Sequence, residues 1–385
     1  MKKWISLLLI ITIILTGAAS VSAASTPAET TASAETPAAE TTETPTVATT
    51  VAEIEEYGNL ILAIKASELI DRGIEEGDIV TIEIAGKEYE MPVVTSYEDV
   101  YQGSMLCRLV IKPKLQEDYV LLAVNLGDFA SETGVATKEY IDEDPSYKWI
   151  PAEDLPNPVP VVITMKEKGS YSNDQYGHAY RSENREDYPD LTDAEYANFR
   201  MIQTTGIGKN AIYRSASPVN PKINRNHEAD AAAREAGVKT FVNLADSKKK
   251  MKKYEGFNES YYSTQAIVNL DMSLDFKSPV FGKKLAKGFE FIAEHEAPFL
   301  VHCTEGKDRC GFVSAVIEAF MGASADEIVS DYMITYHNYY GVEPDTEMYH
   351  KIADRNIRKT LAAAFGLETL DGQDLSVAAE NYLKS

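Results

Sequence analysis

Two patterns of apolar residues divide the chain. Between residues 53 and 165, short apolar runs alternate with polar positions, most clearly as Asp-Ile-Val-Thr-Ile-Glu-Ile at 78–84. A period of two is typical of strands with one buried face. The turn signal at 85–87 and a second run at 88–94 predict a β-hairpin. This segment therefore predicts a small antiparallel β-barrel or sandwich, used as an accessory domain.

From residue 198 onward the period changes, and strand-like and helical segments alternate. Strands are predicted at 211–214, 238–244, 261–270 and 298–303, and helices at 224–236, 279–295, 311–321 and 325–338. This alternation is typical of an α/β domain with a central sheet flanked by helices, here over residues 166–385. Ligands of such sheets bind outside the carboxyl ends of strands, and Cys303 lies at such an end.

The first fifty residues predict export. Residues 1–24 have the form of a secretory signal peptide, with Lys2 and Lys3 before an apolar run. An uncleaved N-terminal anchor is the alternative. Residues 25–52, rich in Ala, Thr, Glu, Pro and Ser, predict a disordered spacer. We therefore expect a secreted or cell-surface protein whose spacer holds the folded part away from a membrane or wall.

Composition narrows the function classes. The chain has 385 residues, of which 44% are hydrophobic, enough for two buried cores. Its formal net charge of −23 argues against nucleic-acid partners. Its cysteines, Cys107, Cys303 and Cys310, are too few for a fold built on disulfides, which favours a bacterial source. Histidines other than His302 show no ligand spacing, so we expect neither a metal nor another cofactor.

The residues that carry chemistry lie in one loop. Cys303 and Arg309 enclose five residues, between an apolar run at 299–301 and a helical segment that starts near Cys310. The backbone N–H groups of 304–309 can curl around one point, where the helix dipole adds positive charge. Arg309 can grip two phosphate oxygens with its planar fork. Such a loop stabilises a thiolate and binds a phosphoryl group. The alternative is a buried structural cysteine at a strand end, with the arginine on a solvated face.

The loop sequence His-Cys-Thr-Glu-Gly-Lys-Asp-Arg at 302–309 resembles the active-site loop of the protein tyrosine phosphatase superfamily. Its last four residues are most similar to bacterial tyrosine phosphatases of broad specificity, some of which also take phosphoinositides. The resemblance extends over residues 195–340 and includes Asn-Phe-Arg at 198–200 and Tyr-Arg-Ser at 213–215. It implies that Cys303 is the nucleophile and Arg309 the phosphate clamp.

The other loop residues are expected to bind substrate. Thr304, Glu305 and Gly306 supply the cradle, and Gly306 stands where a tight loop needs glycine. The resemblance implies that Lys307 helps to bind substrate. We also count His302 with this group, because its place beside the cysteine suits a residue that holds the loop or tunes the thiolate. A core histidine is the alternative.

Expulsion of the leaving group needs a proton donor. Asp271 closes a strand-like run, at a spacing before Cys303 similar to that of the family's mobile acid loop. Asp308 lies inside the loop, where relatives with Lys-Asp-Arg have their candidate acid. Asp275 is a third candidate, and Asp271 can equally be an ordinary turn residue. The sequence leaves the choice between Asp271 and Asp308 open.

Cys310 departs from the family pattern, which has Ser or Thr after the arginine to assist hydrolysis of the phosphoenzyme. A thiol is a weaker hydrogen-bond donor, so we expect slower turnover. Cys310 is also a candidate redox partner that forms a disulfide with Cys303 and protects it from over-oxidation. The alternative is a small buried side chain at a helix start.

Two basic features allow two interpretations each. Residues 248–253 carry five lysines, among them Lys249 and Lys250, and with Lys307 they favour substrates with several phosphates. A solvated helix start is the alternative. Arg214 either orients loops near the site or is a strand-end charge, and we favour the strand-end charge.

Residues 57–165 resemble the C-terminal β-domain of the S-adenosylmethionine hydroxide adenosyltransferase family. The resemblance rests on Tyr-Gly-Asn at 57–59, Gly-Asp at 77–78 and Val-Asn-Leu-Gly at 124–127. The sequence lacks that family's catalytic half, so its activity is not implied. We expect this domain to be a spacer or docking module.

Together these features predict a phosphatase that cleaves phosphate monoesters through a cysteinyl-phosphate intermediate and without a metal. Phosphotyrosine in a protein is the first expected substrate. A phosphoinositide or an inositol polyphosphate is the alternative. From another class, a non-catalytic module that holds phosphorylated ligands fits the same loop.

Overall fold

The computed structural model describes residues 44–140, 147–171, 181–276 and 278–384. The predicted signal peptide at 1–24, and the predicted spacer up to residue 43, lie outside these residues. The spacer was predicted to reach residue 52, but the first strand begins at Thr46, so that prediction is wrong from there on. The strand pairs on one edge with the nearby residues 60–62 and on the other with residues 160–164, a distant segment that the local composition could not reveal.

The amino-terminal domain is a closed seven-stranded barrel, so the barrel form of the prediction is confirmed over the sandwich. Its strands are β1 (Thr46–Ile54), β2 (Leu60–Leu62), β3 (Ile79–Ile84), β4 (Lys87–Val94), β5 (Met105–Lys112), β6 (Glu117–Val124) and β9 (Pro160–Glu167). Around the barrel they run β1-β2-β6-β5-β4-β3-β9, antiparallel except for β4 and β5. Also in this domain are α1 (Ala66–Asp71), α2 (Phe129–Thr133) and the pair β7 (Ala136–Tyr140) and β8 (Tyr147–Pro151).

Local sequence accounts for much of the barrel. Along β3, Val80, Ile82 and Ile84 are buried, and the residues between them face outward or are partly exposed. Both residues of the turn into β4, at 85 and 86, have positive φ, as a tight hairpin turn requires. Pro160 opens β9, where a strand tolerates the missing N–H.

The second domain is α/β, as predicted, and its sheet has five strands. They are β10 (Arg200–Met201), β11 (Ile212–Ser215), β12 (Thr240–Asn243), β13 (Ala266–Asn269) and β14 (Phe299–His302). The order is β10-β11-β14-β12-β13, and only β10 is antiparallel to its neighbour. The predicted strand at 261–270 starts only at Ala266, because the N–H groups of Tyr261 and Tyr262 bond to the carboxylate of Asp230 instead (2.9 and 2.8 Å).

Helices pack on both faces of this sheet, and four more form the carboxyl-terminal part of the chain. They are α3 (Asp193–Tyr196), α4 (Asn226–Glu235), α5 (Lys248–Met251), α6 (Pro279–Ala293), α7 (Asp308–Phe320), α8 (Ala325–Tyr340), α9 (Glu347–Ala353), α10 (Lys359–Phe365) and α11 (Leu375–Lys384). Helix α7 is buried from Cys310 to Ala319, and its first two residues are partly exposed. None of the helices in the described residues has the length and apolar character that a membrane crossing requires.

The barrel is docked on the α/β domain by a loop between β4 and β5. Tyr101 of this loop is 2% exposed and belongs to the hydrophobic core of the α/β domain. The guanidinium of Arg355 lies 4.5 Å from its ring centroid. The next residue, Gln102, donates its backbone N–H to the side chain of Asn356 (3.3 Å). A single compact unit, Thr44–Ser385, therefore contains both domains.

Candidate active site

The central strand β14 brings Cys303 to the carboxyl edge of the sheet, and α7 begins five residues later. Ser215 at the end of β11 and Asn243 at the end of β12 both pair with His302. The N–H of Leu244 donates to the carbonyl of His302 (2.9 Å), which extends the pairing to the last residue before the cysteine. The expected strand-loop-helix context of the cysteine is thus present.

The loop after Cys303 turns its carbonyl groups outward. The carbonyl of Thr304 accepts from the N–H of Ser217 (3.1 Å), that of Glu305 from the hydroxyl of Tyr339, and that of Gly306 from Arg214 (3.0 Å) and Asn198 (3.3 Å). In a trans peptide the C=O and the following N–H point in opposite directions. The N–H groups of residues 305–307 therefore face the inside of the loop. Convergent N–H groups at a helix start form an anion-binding cradle.

Only glycine fits at position 306. Its φ is +67°, in the left-handed region. A Cβ there would lie 2.2 Å from the carbonyl oxygen of Ser215. The glycine thus allows the loop to pass against the end of β11, as the sequence predicted for a tight loop.

Arg214 supports the loop from below, so the interpretation as a strand-end charge is wrong. The side chain is fully buried and reaches both the carbonyl of Gly306 and the carboxylate of Asp331 (2.6 Å). Arg200 also donates to Asp331 (2.9 Å). Burial opposes ionisation of Asp331, but the two guanidinium groups outweigh it and lower its pKa. The signal in the sequence was an arginine inside a buried strand, because such a charge requires a partner.

Cys303 and Arg309 lie together at the loop. Cys303 is 3% exposed. The guanidinium of Arg309 donates to the carbonyl of Met272 (3.0 Å) and lies 3.5 Å from the hydroxyl oxygen of Thr304. Met272 follows β13, so this contact connects Arg309 to the loop after the edge strand of the sheet.

The loop forms part of the wall of a cavity of about 900 Å³ between the two domains. From the loop and α7 the lining includes Glu305, Lys307, Asp308 and Arg309, and from the barrel it includes Tyr57, Tyr97, Glu98, Gln102 and Lys138. The barrel was expected to be a spacer or docking module, and sequence reasoning missed its place at the site. No local motif marks these residues as part of a phosphatase site, because they come together only when the domains dock.

A cluster of charges crosses the domain boundary at Lys307. Its ammonium lies 3.2 Å from a carboxylate oxygen of Glu98 in the barrel and 3.3 Å from one of Glu305 in the loop. Arg181 also pairs with Glu305 (3.0 Å). Burial disfavours the charged form of Lys307, but the surrounding acidic groups raise its pKa. Burial likewise opposes ionisation of Glu305, yet Lys307 and Arg181 lower its pKa to about 2. Lys307 thus lines the cavity as a charge already balanced by two carboxylates.

The structure separates the candidate acids. Asp308 lines the cavity beside Arg309, and burial raises the pKa of its carboxyl, against the opposing charge of Lys307. Asp271 has an exposed side chain that is not part of the cavity lining, and its φ of +47° fits a turn residue. Asp275 lines the cavity but pairs with Lys138 of the barrel (2.6 Å).

His302 is completely buried, so its assignment to the substrate-binding residues is wrong. Asn243 donates to the hydroxyl of Tyr262 (3.2 Å), which leaves the hydroxyl proton for Nε2 of His302 (3.1 Å). Nδ1 lies 3.4 Å from the carbonyl oxygen of Cys303. Burial lowers the pKa of His302 to about 4, so the ring is neutral and holds the loop.

Cys310 points away from the loop into the core. All three cysteines lie in the described residues, and each is a free thiol. The Sγ of Cys310 donates to the carbonyl of Val301 (3.2 Å) and lies 4.0 Å from the hydroxyl of Ser314. Burial raises the pKa of its thiol to about 11. A disulfide between Cys303 and Cys310 stays a prediction.

The lysine cluster does not line the cavity. Lys249 is exposed on the short helix α5, and Lys250 pairs with Asp246 (3.1 Å) while more than half exposed. Ser247 caps this helix. The placement fits the solvated helix start better than a substrate patch. Among the described residues, no group of three or more His, Cys, Asp or Glu side chains is arranged to hold a metal ion.

Comparison with known proteins agrees with this geometry. Residues 175–383, more than half of the chain, match the tyrosine phosphatase family, and residues 49–142 match the SAM hydroxide adenosyltransferase C-terminal domain. A Cupriavidus necator protein, provisionally named a tyrosine-protein phosphatase, is 28% identical over 161 residues, which are 41% of this chain and 52% of that protein. The chain thus spans about half the length of this curated relative.

Two solved structures are also similar. P. aeruginosa TpbA in complex with pTyr is 14% identical, with a TM-score of 0.29, over 54% of this chain and 99% of that chain. The core catalytic domain of a PP-IP phosphatase from S. cerevisiae is 17% identical, with a TM-score of 0.27, over 45% of this chain and 95% of that chain. With the family match over residues 175–383, the chain belongs to the tyrosine phosphatase family.

Proposed function

We propose that this chain hydrolyses phosphate monoesters through a cysteinyl-phosphate intermediate at Cys303. One observation carries the proposal: the carbonyls of Thr304, Glu305 and Gly306 all bond outward, which turns the following N–H groups toward the space beside Cys303. A phosphoryl group placed there meets the N–H cradle, the start of α7 and the guanidinium of Arg309. These groups stabilise the charge on the equatorial oxygens of the transition state.

The reaction has two steps. The thiolate of Cys303 attacks phosphorus while the bond from phosphorus to the leaving oxygen breaks, and Asp308 gives its proton to that oxygen. Water then attacks phosphorus, the sulfur–phosphorus bond breaks, and the water's proton passes to the Asp308 carboxylate. Inorganic phosphate leaves, and Cys303 and Asp308 return to their first states.

Asp308 is our choice for the acid over Asp271. Its carboxyl lines the cavity next to Arg309, and burial raises its pKa, which favours the protonated form that a donor needs. Asp271 is exposed, and its φ of +47° fits a turn residue. Replacement of the true donor by Asn abolishes the fall of kcat on the basic side of the pH–rate profile. We expect this for Asp308→Asn, and the same loss in Asp271→Asn alone would reverse the choice.

Phosphotyrosine in a protein or peptide is the proposed substrate, in keeping with the family. A phosphoinositide or inositol polyphosphate is the second candidate, supported by the cavity of about 900 Å³, which is larger than a phosphotyrosine ring needs. The assay measures phosphate release from a phosphotyrosine peptide, a phosphoinositide and phytate under reducing conditions, with Cys303→Ser as control. Equal release by Cys303→Ser would overturn the mechanism.

The lysine cluster gives a separate test of the second candidate. Because Lys249 and Lys250 are exposed on α5, we expect a Lys249→Ala/Lys250→Ala double variant to hydrolyse phosphoinositide at the wild-type rate. That result would show that the cluster does not recognise the substrate. A loss confined to phosphoinositide, with the phosphotyrosine peptide unaffected, would return those lysines to substrate recognition.

A module that binds phosphorylated ligands without turnover is the alternative from another class. It draws on Cys310, whose thiol stands where the family has a hydroxyl and bonds into the core. Binding of a phosphotyrosine peptide to wild type, with no phosphate release from any of the three substrates, would favour this module over the enzyme.

A further inference from the structure

Gln102 of the barrel reaches into the active site of the α/β domain. Its side-chain Nε2 donates to Oδ1 of Asp308 (3.1 Å) and to the hydroxyl of Tyr332 (3.2 Å). Its Oε1 lies 3.5 Å from the hydroxyl of Thr360, and its backbone N–H is bonded to Asn356. Gln102 is 9% exposed, and these contacts orient its side chain.

The two oxygens of the Asp308 carboxyl group therefore lie in different surroundings, because only Oδ1 accepts from Gln102. Oδ1 accepts the amide hydrogen of Gln102, which suits the carbonyl oxygen of a protonated carboxyl group. Oδ2 is then left to carry the proton, and it is also the oxygen that lies 4.0 Å from the ammonium of Lys307. A general acid needs its proton at one fixed atom within reach of the leaving group, because a freely rotating carboxyl group spends much of its time misoriented.

We propose that Gln102 is a positioning residue for the general acid, so that the barrel is part of the catalytic apparatus and not a spacer. The inference rests on the proposed phosphatase reaction and adds to it a residue from outside the phosphatase domain. It assigns Gln102 no contact with the reacting atoms. Its effect on rate passes through Asp308.

The charges around Asp308 are consistent with this role. Lys307 and Arg309 favour the ionised carboxylate, and Glu305 and Glu98 oppose them, with the hydroxyl of Tyr332 also nearby. Glu98 belongs to the barrel and pairs directly with Lys307. The barrel therefore supplies both the amide that orients Asp308 and a carboxylate that offsets the nearest cation.

The test is Gln102→Met, which keeps the length of the side chain and removes the donor. Phenyl phosphate has a poor leaving group that needs a proton, and p-nitrophenyl phosphate has a good one that needs little help. General acids contribute about 10²–10⁴-fold, so loss of orientation should lower kcat/KM for phenyl phosphate by about tenfold. We expect kcat/KM for p-nitrophenyl phosphate to stay within about twofold of wild type, because kcat/KM reports formation of the phosphoenzyme and not its hydrolysis, which is common to both substrates.

Gln265→Met is the matched control, since its partly exposed amide donates to the hydroxyl of the neighbouring Thr264 (2.7 Å), at the amino-terminal end of β13 and away from the loop. It should leave both substrates unaffected. Gln102→Glu gives a second route if the Met variant does not fold, because an ionised carboxylate keeps the shape but cannot donate to Asp308. It should show the same selective loss with phenyl phosphate.

A double-mutant cycle separates positioning from a general structural effect. In an Asp308→Asn background, Gln102→Met should cause no further loss, since the residue through which it acts is already disabled. Additive losses, or equal losses with both substrates, would overturn the proposal while leaving the phosphatase reaction intact. Failure of wild type to release phosphate from either ester would instead refute the proposed function itself.

Discussion

The buried arginine beneath the loop offers the sharpest test of how the cradle is held. Arg214→Met replaces a guanidinium that bonds to Asp331 (2.6 Å) and to the carbonyl of Gly306 (3.0 Å) with an apolar chain of similar length. Breaking a buried ion pair typically costs about 3–5 kcal/mol. Asp331 keeps its hydrogen bond to Arg200 (2.9 Å), so we expect a cost at the lower end of that range. The lost bond to Gly306 adds about 1 kcal/mol, partly offset because Asn198 still donates to that carbonyl.

The ion pair and the hydrogen bond together predict that the free energy of unfolding, measured by urea titration, falls by about 3–4 kcal/mol. A cradle that has lost one support should also bind the transition state less well, and a tenfold lower kcat/KM corresponds to about 1.4 kcal/mol. Arg234→Met is the control: that arginine is 60% exposed, its pair with Asp230 is 3.6 Å long, and its removal should cost less than about 0.5 kcal/mol. The reasoning is refuted if Arg214→Met unfolds like wild type with unchanged kcat/KM.

Three further predictions follow from the same site. Gly306→Ala, with φ of +67° and a clash at Ser215, should abolish phosphate release, and an active, folded variant would contradict the loop geometry. The pKa of His302 is about 4 in the folded protein and about 6.5 in the unfolded chain, so the unfolded chain binds the proton first as pH falls. The contribution of the neutral ring to the free energy of unfolding is therefore complete above pH 6.5 and falls by up to about 3 kcal/mol as pH drops to 4. A His302→Gln variant should lack this part of the acid sensitivity in urea titrations at both pH values. Iodoacetate should alkylate Cys303 alone in the folded protein, because burial raises the pKa of the thiols of Cys107 and Cys310 to about 12 and 11, and mass spectrometry of the peptides would detect any other label.

The sequence predicts most of the fold where local pattern and tertiary structure agree. The hairpin at β3 and β4 follows from alternation and a turn with positive φ, and β14 with α7 follows from an apolar run, a loop and a helical run. It fails at β1, where a Thr-rich stretch resembles the spacer before it and becomes a strand only by pairing with β2 and β9. At β9, prolines at 156, 158 and 160 are typical of a linker, although the strand starts at the last of them.

The same contrast applies to the site. Cys303, Gly306, Lys307, Asp308 and Arg309 are contiguous, so their spacing alone places them around one loop. The residues that support or complete the loop come from elsewhere in the chain. They include Asn198, Arg214, Asp331, Glu98 and Gln102. Asn198 and Arg214 lie in two of the short motifs that resemble the family, but the motifs do not show that they support the loop, and the others carry no motif of that family. A buried charge such as Arg214 could have been suspected from its strand, but a barrel amide that bonds to Asp308 depends on docking, which no local pattern encodes.

The docking contacts also determine what the α/β domain can do alone. Without the barrel, Lys307 loses Glu98, Asp308 loses Gln102, and the core of the α/β domain loses Tyr101. Loss of Glu98 and Gln102 changes the surroundings of the Lys307 ammonium and the Asp308 carboxyl group. Loss of Tyr101 leaves a cavity in the core, which for a buried aromatic side chain lowers stability by about 3–5 kcal/mol. A phosphatase domain that was independent of its neighbour would not leave such a gap. We therefore propose that the barrel and the loop form one functional unit, in which the barrel contributes to both the packing and the electrostatics of the site.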